Sequence, residues 1–401
     1  MKKLILWYPF FSMQDKDTLK FNLEADQNFR FMFELRKLLI DDFSIAYLLP
    51  NIDDTTNKAF SIYAYNELRK DGCIIIPHNF VPSNIGQRYD FNYSMMSVII
   101  RALNPNIIFN NCDTISKNLK SIIDACNYDT KIFTFFHFLD IPELNMVGNN
   151  SSYFLRQVEA ALASNAIGCY SQLNIDAFKS NAKRYFNLDI NVPVDFYELV
   201  FSKNALQKEL NNITKIYNKE KIIVFPNRLS SNNYSRHKEF FAAINDLFEI
   251  RKDFRVIITN PTGFISNDVL EQEVKPIIFP YGKKRLTRDE YLSVLYSSDY
   301  VCALFKEIHG GFAIRECIFC ECLPIVPEIN EYGRFKELYY KNCGWFKFVN
   351  EDLSNLKYVI NYWLDLCVDS NILNNAKNAL INISSIESNF EKLNNTLKSL
   401  L

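Results

Sequence analysis

His309-Gly310-Gly311-Phe312-Ala313-Ile314-Arg315-Glu316 runs into a short helical pattern and then into Pro324-Ile325-Val326, an apolar segment of strand length. A glycine pair at a helix start leaves backbone N–H groups approachable. Orphan donors and the positive end of the helix dipole hold an anion such as phosphate there. Glu316 falls within the first turns of the same helix, and its carboxylate can accept hydrogen bonds from two vicinal hydroxyls, as a ribose offers. His309, Gly310, Gly311 and Phe312 are therefore candidates for holding phosphate or sugar, and Glu316 for holding the ribose. A lone Gly-Gly turn is most often only a turn, so the reading depends on what accompanies it.

A second group lies about eighty residues upstream. Ile222-Ile-Val-Phe225 is an apolar run, followed by Pro226-Asn227-Arg228-Leu229 and a polar loop. A helix follows, with Phe240, Phe241, Ile244, Leu247 and Phe248 at helical spacing. Arg228 stands at the carboxyl end of the strand and Lys238 at the helix start. Ligands of open α/β sheets sit outside the carboxyl ends of the strands. Two cations there can neutralise a leaving diphosphate. Arg236, between them, reads as a surface cation.

These groups need a frame. In the first half, strand patterns near 3–8, 43–49, 73–77, 106–110, 131–137 and 166–170 alternate with helical patterns near 26–40, 60–70, 91–103, 114–126, 151–164 and 173–181. Alternation of this kind means a parallel sheet with crossover helices. The second half repeats it, with strands near 221–225, 254–259, 276–280, 300–304 and 324–326. Thr287-Arg288-Asp289-Glu290 is a capping box opening a helix through Ser297. Residues 192–220 read as the connection between the halves.

The first half carries less chemistry. His137 ends an apolar strand in Phe135-Phe136-His137-Phe138-Leu139-Asp140, where Asp140 can orient its ring. It is a candidate catalytic residue facing the substrate, or a core histidine satisfied by Asp140. His78 ends another strand and is a candidate on the acceptor side, with Asp140. Arg156-Gln157-Val158-Glu159 reads chiefly as an ion-pairing segment. Trp7-Tyr8-Pro9-Phe10-Phe11 follows the first strand; aromatics stack on sugar rings or bases, but more often they are core.

The chain has 401 residues, enough for two domains with full cores. Its net charge is −1, and neither half is basic, which argues against a strong non-specific nucleic-acid binder. No apolar run is long enough to span a bilayer. The basic start Met-Lys-Lys is followed by a segment broken by Pro9 and by charges at 15–17, which reads as a first strand and not as a secretion signal. Ten cysteines without such a signal fit a reducing cytoplasm. Cys317, Cys320 and Cys322, with His309 nearby, look like a metal site. Buried free thiols behave as small hydrophobes, and no metal site is expected. Asp15-Lys16-Asp17 is discounted as a metal-binding pair.

Asn227-Arg228-Leu229, Lys238, Gly311-Phe312, Glu316 and Pro324-Ile325-Val326, with Tyr291–Leu304 between them, resemble the donor domain of retaining GT-B glycosyltransferases of group 1 (family 4). The resemblance covers roughly residues 220–345. It implies an α/β fold of two Rossmann-like domains facing across a cleft: an acceptor-binding domain over 1–195, a nucleotide-sugar-binding domain over 215–385, and a C-terminal helix, 386–401, packing back on the first. It implies a hexosyltransferase-like enzyme that moves a sugar from a nucleotide-diphosphate sugar to an acceptor hydroxyl of a glycan or other small molecule, with retention and without a cofactor. Two departures are visible. The family's first acidic residue corresponds to Ile308; its neighbours Glu307 and His309 are the candidates to replace it in holding the donor. Its glycine before the Pro-Val strand is replaced in the stretch Glu321-Cys322-Leu323. Three alternatives fit the same residues: a phage-type enzyme glycosylating a nucleic-acid base, a sugar-nucleotide epimerase, and a non-catalytic nucleotide-sugar-binding protein. The joint presence of Arg228 and Lys238 favours an enzyme.

Overall fold

The computed structural model describes residues 2–11, 20–82, 89–137, 139, 151–215, 219–227, 229, 235–259, 277–278, 286–304, 311–333, 335, 347–366 and 369–401. The chain divides into two compact units, Met1–Ser202 with Ile386–Leu401, and Lys203–Ser385.

Unit 1 is built on seven parallel strands: β1 Lys3–Tyr8, β2 Phe43–Leu49, β3 Ile74–Pro77, β4 Ile107–Asn110, β5 Lys131–Phe136, β6 Ala166–Cys169 and β7 Val194–Phe196. Their order is β3-β2-β1-β4-β5-β6-β7. The central strands are apolar on both faces, which is why they read as unbroken hydrophobic runs and not as alternating ones. Trp7 stacks on Phe109 of the neighbouring strand at 4.1 Å between ring centroids. On one face, Leu6, Tyr8, Ala46, Leu48 and Ile108 pack with Met96, Ile99, Leu119 and Ile123 from two crossover helices.

The asparagine bias of the composition has a structural use. Asn104, Asn127 and Asn187 each end a helix in the left-handed conformation, which asparagine tolerates better than most residues. Asn57 and Asn92 cap helix starts with their side chains. The helix Ile386–Ser399 belongs to unit 1: Asn394 and Lys398 bond Asp42 at 2.6 and 2.8 Å, and the Tyr197 hydroxyl donates to Thr396 at 2.7 Å.

Unit 2 repeats the scheme with β8 Lys221–Phe225, β9 Phe254–Ile258, β10 Ile277–Ile278, β11 Tyr300–Cys302 and β12 Leu323–Ile325, in the order β10-β9-β8-β11-β12. The capping box forms as the sequence predicts. Thr287 accepts from the Glu290 N–H at 3.3 Å, and Glu290 accepts from the Thr287 N–H at 2.7 Å.

The connection over 192–220 differs from expectation. Val194–Phe196 pairs with Ile167–Cys169 as an edge strand, and Lys203–Leu210 is a helix. Three residues are too few for periodicity to register as a strand. The polar Lys203-Asn-Ala-Leu-Gln-Lys-Glu-Leu210 buries only Leu206 and Leu210, too narrow a stripe to read against its surroundings.

Candidate functional site

β8 and β11 are neighbours in the sheet, with Ile223 opposite Tyr300 and Val224 opposite Val301. Strand order reverses between them: β8 leads on to β9 on one side and β11 to β12 on the other. This is the switch point at which open α/β sheets bind ligands outside their carboxyl ends. The segments after both strands therefore leave the sheet at one edge. One runs through Asn227 and Leu229 to the helix His237–Ile250; the other runs through Leu304 to Gly311 and the helix Phe312–Phe319. Two motifs eighty residues apart in the chain thus share one end of one sheet.

Gly311 has φ 56°, in the left-handed region, and stands just before the helix Phe312–Phe319. That conformation suits glycine. Its carbonyl accepts the Arg315 N–H at 3.1 Å, and a glycine has no side chain with which to cap the helix itself. First-turn N–H groups lack an acceptor within their helix, so the arrangement suits an outside anion. Phe312 is half-buried beside it. Lys238 is exposed in the first turn of the helix His237–Ile250. A helix dipole disfavours a cation there, by about 0.3–1 kcal/mol at most exposed sites; an anion bound at this edge would offset that. Arg236 donates to the Glu351 carbonyl at 2.5 Å, a structural contact. Arg228, Glu307, His309 and Gly310 lie outside the described residues.

Glu316 is 5% exposed. Its Oε1 lies 2.7 Å from Arg288 Nη2. The same Nη2 is 2.9 Å from Glu209 Oε2, and Arg288 Nε reaches that oxygen at 3.2 Å. Burial works against the Arg288 charge, but the Glu316 and Glu209 carboxylates outweigh it and hold the guanidinium above its ordinary range. Three helices meet in this cluster: Lys203–Leu210, Arg288–Tyr296 and Phe312–Phe319. Of the three, only Glu316 is legible from sequence as a site residue. Arg288 reads there as a member of the capping box, and Glu209 falls within the connection over 192–220.

Cys317, Cys320 and Cys322 are buried and unbridged. Burial pushes the Cys317 and Cys320 thiols well above their usual range. Cys322 Sγ donates to the Leu295 carbonyl at 3.1 Å. Among the described residues, no group of three or more His, Cys, Asp or Glu side chains is arranged to hold a metal ion. The segment where the family has glycine contains Glu321 at φ 69°, a left-handed conformation costly for a side chain with a Cβ. Lys377 and Lys215 reach its carboxylate at 3.4 and 3.8 Å.

Unit 1 has its own carboxyl edge. His137 lies just beyond β5 and is 5% exposed. Its Nδ1 is 2.9 Å from the Tyr170 hydroxyl and its Nε2 is 3.0 Å from Asn111 Oδ1. Burial raises the Tyr170 phenol well above its usual range, so the hydroxyl is protonated and donates to Nδ1, and Nε2–H donates to Asn111. The ring is thus oriented by Asn111 and Tyr170; Asp140, the partner expected from sequence, lies outside the described residues. Phe10, Phe31 and Phe135 surround the ring at 5.9, 5.7 and 5.1 Å between centroids. Nearby in the chain, buried Asp113 accepts from Gln157 Nε2 at 2.7 Å and from the Tyr153 hydroxyl at 3.0 Å. Glu159 makes an ion pair with Lys117 at 2.6 Å, as its segment suggested. His78 is 1% exposed; among the described residues neither ring nitrogen has a hydrogen-bond partner, and burial pushes its pKa down. The Trp7–Phe11 stretch is buried, and its aromatic rings are core.

No family model matches the chain. A tRNA-queuosine alpha-mannosyltransferase of Drosophila melanogaster is 24% identical over 207 residues, 46% of this chain and 53% of that protein. The chain thus spans about half the length of the curated relative it matches. Among solved structures, the trehalose-6-phosphate phosphatase N-terminal domain of Candida albicans superposes with a TM-score of 0.67 at 12% identity, covering 100% of this chain and 97% of that one. Anabaena HepE in complex with UDP superposes with a TM-score of 0.63 at 12% identity over 100% of both chains. Among the described residues, no helix is long and apolar enough to cross a membrane. With two parallel-sheet units in one chain and these structural relatives, the protein has the GT-B fold of two Rossmann-like units.

Proposed function

We propose that the chain is a glycosyltransferase that takes a sugar from a nucleotide-diphosphate donor bound by unit 2 and passes it to an acceptor hydroxyl bound by unit 1. The observation that carries this reading is that neighbouring strands β8 and β11 lead on to the helix carrying Lys238 and to the helix start at Gly311 that carries Glu316. One edge then offers cations for a diphosphate, a helix start for its oxygens and a carboxylate for the ribose. The Anabaena structure with UDP and the fly mannosyltransferase support the same chemistry.

In this reaction the acceptor oxygen forms a bond to the anomeric carbon as the bond from that carbon to the diphosphate breaks. Arg228 and Lys238 stabilise the charge appearing on the departing phosphate, an effect exerted in the transition state. No carboxylate of the site is assigned as a nucleophile. The reading is therefore front-face attack with retention, in which a diphosphate oxygen receives the hydroxyl proton. Two cations and a helix start supply the neutralisation that other enzymes take from a metal, so the reaction runs without one. His137 holds the acceptor-side edge of unit 1 in shape through Asn111 and Tyr170.

The test is a panel of nucleotide sugars screened by thermal shift, followed by nucleoside diphosphate release with the best binder in EDTA. Stabilisation by one sugar nucleotide with slow diphosphate release supports the reading; no stabilisation by any member overturns it. A second acceptor reading, a modified nucleoside in RNA, is favoured by the substrate in the name of the fly relative. Glycosyl transfer to bulk tRNA and not to small sugars distinguishes it.

A further inference from the structure

We infer that Arg288, anchored by Glu209, is the positioning residue that fixes Glu316 so that one carboxylate oxygen, Oε2, is presented to the ribose hydroxyls of the donor. This rests on the reading that unit 2 binds a nucleoside diphosphate. Arg288 Nη2 bridges the two carboxylates at 2.7 Å to Glu316 Oε1 and 2.9 Å to Glu209 Oε2. Its Nε holds the same Glu209 oxygen at 3.2 Å. The guanidinium is thus clamped on the Glu209 side by two bonds and reaches Glu316 by one. Only Oε1 of Glu316 is engaged in an ion pair among the described residues.

Burial points the same way: the Glu316 side chain is 7% exposed, against 17% for Arg288 and 24% for Glu209, so the anchor lies on the more open side and the held carboxylate on the more enclosed one. A largely enclosed ion pair is a poor device for stability, since apolar residues of similar volume commonly serve as well or better. It is a good device for holding an oxygen that needs donors. A vicinal diol brings two O–H donors and no charge, and so fits Oε2 without disturbing the bond to Arg288. A carboxylate oriented by a fixed partner loses less freedom on binding than a loose one.

The experiment is calorimetric titration of the whole protein with UDP and GDP and with their 2′-deoxy forms, together with melting temperatures. Wild type should prefer the better ribonucleotide over its deoxy form by roughly tenfold or more, the range for a charged hydrogen bond. Glu316→Gln should abolish that preference. Arg288→Gln should also collapse it, and Arg288→Lys should restore part of it. Glu209→Gln keeps an acceptor for Arg288 and should keep most of the preference. If Arg288→Gln does not fold, Arg288→Lys is read alone, and an intermediate preference is expected. Full preference in the Arg288 variants with loss in Glu316→Gln overturns the role of Arg288 and leaves the site reading standing. A wild type that ignores the 2′-hydroxyl, or that binds neither nucleotide, overturns the assignment of Glu316 itself. A merely structural Arg288 would lower the melting temperature and leave the ratio of the two affinities unchanged.

Discussion

Replacing His137 by alanine removes a ring that both Asn111 and Tyr170 use. The Tyr170 hydroxyl, 2.9 Å from Nδ1, loses its acceptor, and Asn111 Oδ1, 3.0 Å from Nε2, loses its donor. Both partners are buried, at 1% and 3% exposure. Each lost hydrogen bond costs about 0.5–1.5 kcal/mol, so the two amount to about 1–3 kcal/mol before any cavity among Phe10, Phe31 and Phe135 is counted. A typical stability is about 5–15 kcal/mol. In a unit of this size each kcal/mol moves the melting temperature by about 2–4 °C, so a fall of roughly 2–12 °C is expected. Circular dichroism melting measures it, with nucleoside diphosphate affinity and turnover taken on the same sample. Affinity should hold, since the diphosphate is assigned to unit 2, and turnover per folded molecule should stay close to wild type. An unchanged melting temperature with collapsed turnover would refute this reasoning and make the ring a participant in transfer.

Other consequences are open to the same kind of test. Burial lowers the pKa of folded His78, and among the described residues neither ring nitrogen is bonded. An unfolded chain protonates it near its ordinary value of about 6.5, so its share of stability is full above that pH and shrinks as pH falls below it. Urea denaturation at neutral pH and near pH 5 should show this loss, and His78→Phe should flatten it. In β6, a Cβ at Gly168 would lie 2.8 Å from the Tyr197 ring and 2.9 Å from the Phe133 ring; Gly168→Ala should cost about 1–3 kcal/mol by overpacking, measured by denaturation midpoint. Arg228→Ala and Lys238→Ala should each lower kcat by roughly 100-fold and raise the donor KM much less, because they act on charge that appears in the transition state. Normal turnover at saturating donor would remove both from the leaving-group site.

Much of the frame could be read from the chain because parallel strands buried on both faces announce themselves as apolar runs. β1 and β2 were expected at 3–8 and 43–49, and stand there. What escaped was short or polar: the three-residue edge strand β7 and the helix Lys203–Leu210. Glu209 was lost with that helix. Arg288 escaped for another reason. Its role in the capping box explained the local sequence fully, and nothing local signals that its guanidinium turns to a carboxylate 28 residues further on. His137 could be placed at a strand end from sequence, but its partners stand just beyond β4 and β6, the two neighbours of β5. Only the strand order brings Asn111 and Tyr170 to the same ring.

The central claim is that the carboxyl edge between β8 and β11 is the seat of the donor. The position of a bound nucleoside diphosphate in an experimentally determined structure of the complex tests it most directly. The account predicts the diphosphate against the start of the helix Phe312–Phe319, within reach of Lys238, and the ribose hydroxyls on Glu316 Oε2 with Arg288 still on Oε1. A nucleotide seated on unit 1, or bound to unit 2 away from Glu316, would contradict it.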